Sequence, residues 1–492
     1  MPEPRYPVLY QANTRIWLNN LSRQLGRAST LEDIPDGELD RLAGLGFDWL
    51  YLLGAWTTGK AGRQVSRSNP EWRAEFQRIL PDLNEEDICG SCFALRAYRV
   101  HPQLGGNAAL ERLRERLRPR GLRLMLDFVP NHTAPDHPWA KSHPDYYVQG
   151  APEDLARAPG NYTRLWSGQE ERILAYGRDP YFPGWPDTLQ LNYANPGLHQ
   201  AMIKELRKAA RLCDGLRCDM AMLVLPEIFE RTWGLRAEPF WPEAIARVRE
   251  DQPGFTFMAE VYWDLEWTLL QQGFDYAYDK RLYDRLHARQ AGPVREHLSA
   301  GLDYQDGMAR FLENHDEPRA AAVFPPDVHR AAAVITYCSP GLRFFHQGQL
   351  EGRRVRIPPH LCRAPQETPD PVLEAFYQRL LACLRDPGLR DGDWQRLEAR
   401  PAWDGNPTWE HLIAGAWKSP DGRRLLAVAN FAPHHSQGYL GLPFAELPGR
   451  GVRLIDRLGL DSFNRNGDVL FQSGLYLDMP GWGYHVFEIQ PT

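Results

Sequence analysis

The stretch Gly215-Leu216-Arg217-Cys218-Asp219 begins apolar and ends in a charge. Side chains alternate between the two faces of a strand, so Arg217 and Asp219 lie on the same face if this stretch is extended. If the strand ends at Asp219, both groups project from its carboxyl end. In an α/β barrel that end of the strands is the catalytic rim. The stretch therefore predicts an arginine and an acid placed together at a functional edge.

Three more stretches have the same shape, a short hydrophobic run that ends in an acid, an amide or an imidazole. They are Leu122 to Asp127 followed by Asn131 and His132, Phe255 to Glu260, and Arg310 to Asp316. Together with four other apolar runs they predict eight strands, near residues 8, 48, 123, 215, 255, 274, 310 and 343. Helical patterns separate most of these strands, and such alternation favours a parallel sheet.

Two parts of the chain break this alternation. Residues 131–193 are rich in Pro, Gly, Trp, Tyr and His and show no clear helix. A structureless loop of that length is improbable in a compact domain, so we predict an inserted domain there. From residue 401 to residue 492, short β-like runs are separated by Gly, Pro, Asn and Asp, which is typical of an antiparallel β-sandwich. The main α/β domain is then divided between residues 1–130 and 194–400.

Composition narrows the function classes. At 492 residues the chain exceeds one typical domain, and a net charge of -6 argues against nucleic acid or an anionic membrane surface as a partner. No apolar run reaches the ~20 residues that span a bilayer, and the polar, Pro-rich start predicts no leader peptide. The seven scattered cysteines indicate free thiols in a reducing compartment, so we predict a cytoplasmic protein.

Three acids, Asp219, Glu260 and Asp316, end three of the later strands or follow them directly. Acids at apolar strand ends are costly unless they are paired or face a cleft. Hydrolysis of a glycosidic bond needs such a set, because one carboxyl protonates the leaving oxygen and, in a retaining enzyme, another attacks the anomeric carbon. Arg217 would keep Asp219 ionised, and the apolar residues before Glu260 favour the acid role for that carboxyl.

The four stretches resemble the four signature motifs of the α-amylase family, glycoside hydrolase family 13. The matching residues are Asp127-Phe128-Val129-Pro130-Asn131-His132, Gly215 to Asp219, Ala259-Glu260-Val261 and Glu313-Asn314-His315-Asp316. Pro186 to Asn192 resembles a stretched form of the auxiliary motif in the inserted domain. Asn131-His132-Thr133 and His315 to Arg319 resemble α-glucosidase-like and amylosucrase-like members more than long-chain α-amylases.

The resemblance implies a (β/α)8 barrel with a domain inserted after its third strand. It implies Asp219 as the nucleophile, Glu260 as the general acid/base and Asp316 as the stabiliser of the transition state. The substrate-binding residues are predicted to be Asp127, His132, Arg217, His315, Phe93 and Arg319. Phe93 stands where many members have a tyrosine that stacks on the sugar, so stacking is kept and the hydroxyl is lost.

The sequence differs from many amylases at the positions that bind calcium and at those that line the leaving-group side. Asn131 matches a calcium ligand of the amylases, but the region around Asn13 lacks the acidic calcium loop that some members carry. Because calcium needs a cluster of oxygen ligands, we predict no metal and no cofactor. Met222 and Leu223 stand where many amylases have Lys and His, which indicates a less polar leaving-group site.

Three functions are compatible with these residues. The first is a retaining α-glycoside hydrolase that acts on α-glucosides or short α-glucan oligosaccharides through a covalent glycosyl-enzyme. The second is a transglycosylase of the same family, in which Trp166, Tyr181 and Trp185 of the insert would exclude water. The third is a non-catalytic sugar-binding subunit, which the presence of all three acids disfavours. The predicted partner is an α-linked oligosaccharide or glucoside, and the oligomeric state stays open.

Overall fold

The computed structural model describes residues 4–167 and 170–492. Eight strands close into a barrel in which every neighbouring pair is parallel, with the last strand paired to the first. In chain order the barrel strands are Val8–Asn13, Trp49–Leu53, Arg123–Phe128, Gly215–Cys218, Thr256–Ala259, Tyr276–Tyr278, Met308–Arg310 and Leu342–His346. The eight predicted strands and the (β/α)8 barrel are therefore confirmed.

Helices connect the barrel strands and cover their outer side. They are Thr14–Leu25, Asp36–Leu45, Gly106–Leu117, Pro196–Ala210, Pro226–Trp233, Trp241–Asp251, Glu266–Gln271, Lys280–His287, Ala291–His297, Leu302–Asp306, Ala320–Val323, Pro326–Tyr337, Pro371–Leu384 and Pro387–Asp391. Gly106–Leu117 buries Ala109, Leu110, Leu113 and Leu117, the three- and four-residue spacing of one helix face. In the part of the chain that the structure describes, no helix has the length and apolar character needed to cross a bilayer.

The segment that follows the second barrel strand contains two helices. Lys60–Ser68 and Pro70–Ile79 follow each other directly, and the Asn69 side chain caps the second helix by accepting the N–H groups of Glu71 and Trp72. A short antiparallel pair, Trp56–Thr58 with Leu95–Val100, flanks them. Because these two short strands are paired, the beginning and the end of the segment lie next to each other. Both helices therefore lie at the carboxyl end of the barrel.

The segment between the third and fourth barrel strands contains short strands and short helices. A hairpin joins Tyr162–Ser167 to Glu170–Ala175, and the short helices Trp139–Ser142 and Pro152–Arg157 precede it. His132–Thr133 pairs with Leu189–Gln190, with His132 opposite Gln190. This pairing holds the two ends of the segment together at the barrel rim.

The C-terminal region forms two antiparallel sheets around a core of its own. The larger sheet contains Asp393–Leu397, Leu412–Lys418, Arg424–Asn430, Gly451–Asp456, Ser462–Asn466 and Tyr484–Pro491. The smaller contains Ala399–Pro401, Ser436–Leu440 and Leu475–Met479, and the helix Gly467–Ser473 lies between strands. The predicted C-terminal antiparallel domain is confirmed; the numbered domain boundaries stay predictions.

Aromatic rings fill the barrel beneath its rim. Tyr51, Tyr278, Phe311 and Phe344 are nearly fully buried and contact one another edge to face, with ring centroids 5.2 to 6.3 Å apart. Two of these rings carry hydroxyl groups, and both hydroxyls bond to polar residues at the strand ends. The barrel core thus supports the site above it directly.

Candidate active site

A single guanidinium lies at the centre of the strand ends. Arg217 is completely buried, with Nη1 2.6 Å from Asp219 Oδ1 and Nη2 2.7 Å from Glu260 Oε2. Asp316 Oδ2 lies 4.0 Å from the same Nη2. The structure therefore brings the three predicted acids together around one cation.

Arg217 is fixed from below and from the side. Its Nε donates to the Tyr278 hydroxyl at 3.3 Å, and the Phe93 ring centroid lies 5.4 Å from the guanidinium carbon. The neighbouring strand places Asp127 in register with Arg217. Burial raises the pKa of Asp127, although the Arg217 charge opposes this shift. The guanidinium is therefore held in one place by Tyr278 and Phe93 as well as by the acids that it contacts.

Asp127 is held by the strand beside it. Its carboxylate accepts the Tyr51 hydroxyl and, at 2.7 Å, the backbone N–H of Gly54. Gly54 has a φ of 78°, and a Cβ there would lie 2.7 Å from the Cys92 Cβ. Glycine is therefore required at this turn, both for the left-handed backbone and for the close approach.

Glu260 has polar partners on every side that the structure describes. Besides Arg217, its carboxylate accepts the backbone N–H of Met220 at 2.7 Å and the Tyr262 hydroxyl at 3.0 Å. Met220 adopts a left-handed conformation, with a φ of 43°, which is costly for a non-glycine residue and is typical of functional sites. The predicted apolar setting of Glu260 is wrong, because the apolar residues before it pack in the barrel wall while its carboxyl turns toward the rim.

Asp219 shares its cation with Glu260. Both carboxyls contact the Arg217 guanidinium, so a single positive charge compensates two buried acids. Burial raises the pKa of Asp219, the Arg217 charge opposes that rise, and the charge of Glu260 adds to it.

Asp316 is the most exposed of the three acids, with a side chain 38% exposed. Its place deep in the cleft would raise its pKa, but His315 and then Arg217 overcome this effect and lower the pKa to about 2. Gln11 Nε2 lies 3.0 Å from His315 Nδ1, and His315 Nε2 lies 3.0 Å from Asp316 Oδ2. Since Gln11 donates to Nδ1, the imidazole hydrogen faces Asp316, which stays ionised.

His132 is a neutral hydrogen-bond donor in the cleft wall. Burial lowers its pKa to about 3. The Asn131 amide nitrogen lies 3.4 Å from Nδ1, which favours the tautomer with hydrogen on Nε2. Within the described residues Nε2 is buried and has no hydrogen-bond partner. A ligand hydroxyl is the partner that this donor lacks.

Arg319, Met222 and Leu223 do not line the cleft. The Nη1 of Arg319 lies 2.9 Å from Glu313 Oε1, and Arg319 also bonds His346. Its predicted contact with substrate stays a prediction. Met222 and Leu223 are buried in the core, and Met220 supplies the less polar lining beside Glu260.

The acids open into a cleft of about 370 Å³. Phe93 and His132 line it as predicted, and so does Trp185 of the insert. Tyr181 instead is exposed and packs on Trp263, and the side chain of Trp166 lies outside the described part of the structure. Lining residues to which the sequence analysis gave no role include Trp72, Asp187, Tyr262 and His360. Asp187 belongs to the Pro186 to Asn192 stretch that resembles the auxiliary motif. Tyr262 also carried a sequence signal, since it lies two residues after Glu260 and hence on the same side of an extended chain.

The residues around Asn131 do not fit a calcium ion. Asn131, which matches a calcium ligand of the amylases, accepts the Gln190 side-chain amide at its Oδ1, at 2.9 Å. The same amide donates to the Asn131 carbonyl at 3.0 Å, so an N–H donor occupies the position that a cation would take. Among residues 4–167 and 170–492, no group of three or more His, Cys, Asp or Glu side chains is arranged to hold a metal.

The fold and the cleft define a class, a (β/α)8-barrel protein with a carboxylate site at the carboxyl ends of its strands. Comparison with known proteins gives the family. The profile of the family described as "Alpha amylase, catalytic domain" matches residues 95–357, more than half of the chain. The chain therefore belongs to the alpha-amylase family, and the predicted resemblance is confirmed.

Individual relatives match part of the chain, and solved structures match all of it. Alpha-amylase 3 of Dictyoglomus thermophilum is 22% identical over 308 residues, 57% of this chain and 57% of that protein. Maltase 1 of Drosophila virilis is 27% identical over 280 residues, 49% of this chain and 41% of that protein, so the matched region spans about half the length of these relatives. A maltogenic alpha-amylase structure from Thermotoga neapolitana has a TM-score of 0.70 at 17% identity and 98% coverage of both chains, which shows the shared fold.

Proposed function

We propose that the chain is a retaining α-glycoside hydrolase that cleaves α-glucosides or short α-glucan oligosaccharides. The observation that carries the proposal is the contact of Arg217 with both Asp219 and Glu260, with Asp316 4.0 Å away, at the base of the cleft. A guanidinium that bridges two carboxyls keeps them close, as the about 5 Å separation of a retaining pair requires. The free cysteines of the structure also support the cytoplasmic location that we propose.

The two steps use the acids in different protonation states. In the first, protonated Glu260 donates to the glycosidic oxygen while ionised Asp219 attacks the anomeric carbon, and the leaving group departs with the proton. In the second, Glu260 takes a proton from water, the resulting hydroxyl attacks the anomeric carbon, and Asp219 departs as a carboxylate. Two inversions give net retention of the α-configuration. Asp316, which stays ionised, stabilises the cationic character of both transition states.

The remaining cleft residues hold the sugar. His132 Nε2 has a hydrogen to donate to a hydroxyl, and the Phe93 ring offers an apolar face for stacking. His315 links Asp316 to Gln11 and so fixes the position of that carboxylate. Arg217 and Asp127 act beneath the sugar, by placing the two reacting carboxyls.

Product analysis tests the proposal. Incubation with maltose, maltotriose, maltotetraose, sucrose and 4-nitrophenyl α-glucoside is expected to release glucose and shorter sugars, with the α-anomer formed first by NMR. The matched control is Glu260→Gln, which keeps the shape of the side chain and removes the acid. Glu260→Gln is expected to lose turnover of the disaccharides, because their leaving groups need the proton.

Three other outcomes would each contradict part of the proposal. Products longer than the substrate would show that the protein is a transglycosylase and not a hydrolase. Trp185 and Trp72 in the cleft wall would assist transfer by excluding water. Absence of turnover on all five substrates, with binding still detectable, would show that the protein is a non-catalytic sugar-binding subunit. A β-anomer as the first product would contradict the retaining mechanism.

A further inference from the structure

Asp187 is a buried acid whose charge has no partner. Its side chain lines the cleft and is 3% exposed, yet Oδ2 has no hydrogen-bond partner within the described residues. Burial alone raises the pKa of Asp187 to about 7, opposed only by its own backbone N–H. Lys60 and Arg63 on the adjacent helix, and His132 on the adjacent strand, form no ion pair with it. An unpaired carboxyl at such a place destabilises the free protein.

Asp187 lines the same cleft as the three acids and as Phe93 and His132, the residues proposed to hold the sugar. A Cβ added at Gly62 would lie 3.1 Å from the Ala94 Cβ and 3.6 Å from the Asp187 Cβ, so Asp187 packs close to the chain next to Phe93. The following residue, Thr188, packs close to His132, because a Cβ added at Gly177 would lie 2.8 Å from Thr188 Oγ1 and 2.9 Å from the His132 Cβ.

The proposed mechanism does not use Asp187. Asp219, Glu260 and Asp316 lie within 4.0 Å of the Arg217 guanidinium, and Asp187 forms no ion pair with it. Nothing in the described chain binds the free Oδ2 of Asp187. A polar ligand that enters the cleft would supply the missing bond, because buried polar groups are regularly satisfied by hydrogen bonds.

We propose that Asp187 is a specificity-determining residue that hydrogen-bonds one hydroxyl group of the sugar ring whose glycosidic bond is cleaved. This inference rests on the proposed function and names a further contact in the same site. A site built to bond a hydroxyl rejects a substrate that lacks it, because the protein group is then left unpaired. Asp187 thus makes the cleft select for one hydroxyl of the sugar.

A cycle of deoxy substrates and variants tests the contact. The values of kcat/KM are measured for 4-nitrophenyl α-glucoside and its 2-, 3-, 4- and 6-deoxy analogues, with wild type, Asp187→Asn and Asp187→Ala. Wild type is expected to lose about tenfold or more with one analogue, and Asp187→Ala to lose no more than about twofold with the same analogue. Asp187→Asn keeps a hydrogen-bonding group and is expected to give an intermediate loss.

Thermal melting separates this role from a structural one. A carboxyl whose pKa is raised in the folded state costs stability as the pH rises from its ordinary value to about 7, and the full cost applies above pH 7. Asp187→Asn is therefore expected to melt above wild type at pH 8, with the difference shrinking toward pH 4. The control is Asp179→Ala, since buried Asp179 accepts the N–H groups of Tyr181 and Phe182 and loss of this acceptor should lower the melting temperature.

The outcomes distinguish the inference from the proposed function. Equal deoxy profiles in wild type and Asp187→Ala, with turnover intact, would overturn the role of Asp187 and leave the hydrolase proposal standing. A lower melting temperature for Asp187→Asn at pH 8 would likewise overturn it, because it would mean that the carboxyl stabilises the fold. Turnover of no glucoside by the wild type would overturn both.

Discussion

Asp219→Ala is expected to lower kcat on 4-nitrophenyl α-glucoside by about 10⁴-fold or more, which is ~5.5 kcal/mol of lost transition-state stabilisation. The reason is that no other carboxylate among the cleft residues is placed to attack: Glu260 is required as the acid, and Asp316 lies 4.0 Å from Arg217 beside His315. The variant should still fold, because removing one of two acids that share a guanidinium leaves a balanced pair, Arg217 with Glu260.

Added azide makes this prediction stereochemically specific. In Asp219→Ala the vacated space admits azide on the face from which Asp219 attacks, so the product is a β-glycosyl azide. In Glu260→Ala the covalent intermediate still forms from an activated aryl glucoside, and azide then attacks the opposite face to give an α-glycosyl azide. NMR of the products reads both results, and exchange of the two anomers would contradict the assignment of nucleophile and acid/base.

Arg217→Met is expected to lower both stability and activity. Without the cation, two buried carboxyls lose their compensating charge, which should cost about 3 to 5 kcal/mol in the free energy of unfolding at neutral pH. Asp219 then holds its proton to higher pH, because the attraction that opposes its raised pKa is gone. The acidic limb of the kcat/KM profile should move to higher pH, and kcat at pH 7 should fall by about 10³-fold.

Arg310→Met is the matched control for Arg217→Met. Arg310 also belongs to a barrel strand and is completely buried, and its Nε lies 3.4 Å from Asp279 Oδ2, but it does not line the cleft. This variant is expected to lose stability without a shift in the pH profile, as followed by urea unfolding and initial rates. An unchanged pH profile in Arg217→Met would show that the cation does not govern the protonation of Asp219.

Much of the barrel is predictable because its strands are short apolar runs bounded by polar residues. Phe47 to Leu53, for example, is almost wholly apolar and becomes the buried strand Trp49–Leu53. The helices Lys60–Ser68 and Pro70–Ile79 escaped prediction because they bury few side chains, Phe76 being the one large apolar residue fully buried in the pair. Helices that cover a cleft and face solvent carry little of the periodic pattern by which sequence reveals a helix.

The residues of the candidate site were likewise predictable only in part. Asp219, Glu260 and Asp316 were predictable, because an acid at an apolar strand end is anomalous in sequence. The shared contact of Arg217 with Glu260 was not, since it joins two strands through side-chain directions that no spacing encodes. Asp187 belongs to the stretch that resembles the auxiliary motif, but its role could not be predicted, because that role depends on an oxygen that lacks a partner, and a missing bond leaves no mark in the sequence.

The central step of the proposed mechanism is the formation of a bond between Asp219 and the anomeric carbon. A 5-fluoro-α-glucosyl fluoride slows the second step more than the first, so the wild-type protein should accumulate a glycosyl-enzyme with one added sugar by intact mass spectrometry. After peptic digestion, the label is expected on the peptide that contains Asp219, and Asp219→Asn should take up none. A label on any other residue, or rapid turnover of the reagent to a β-configured product with no label, would contradict the proposed mechanism.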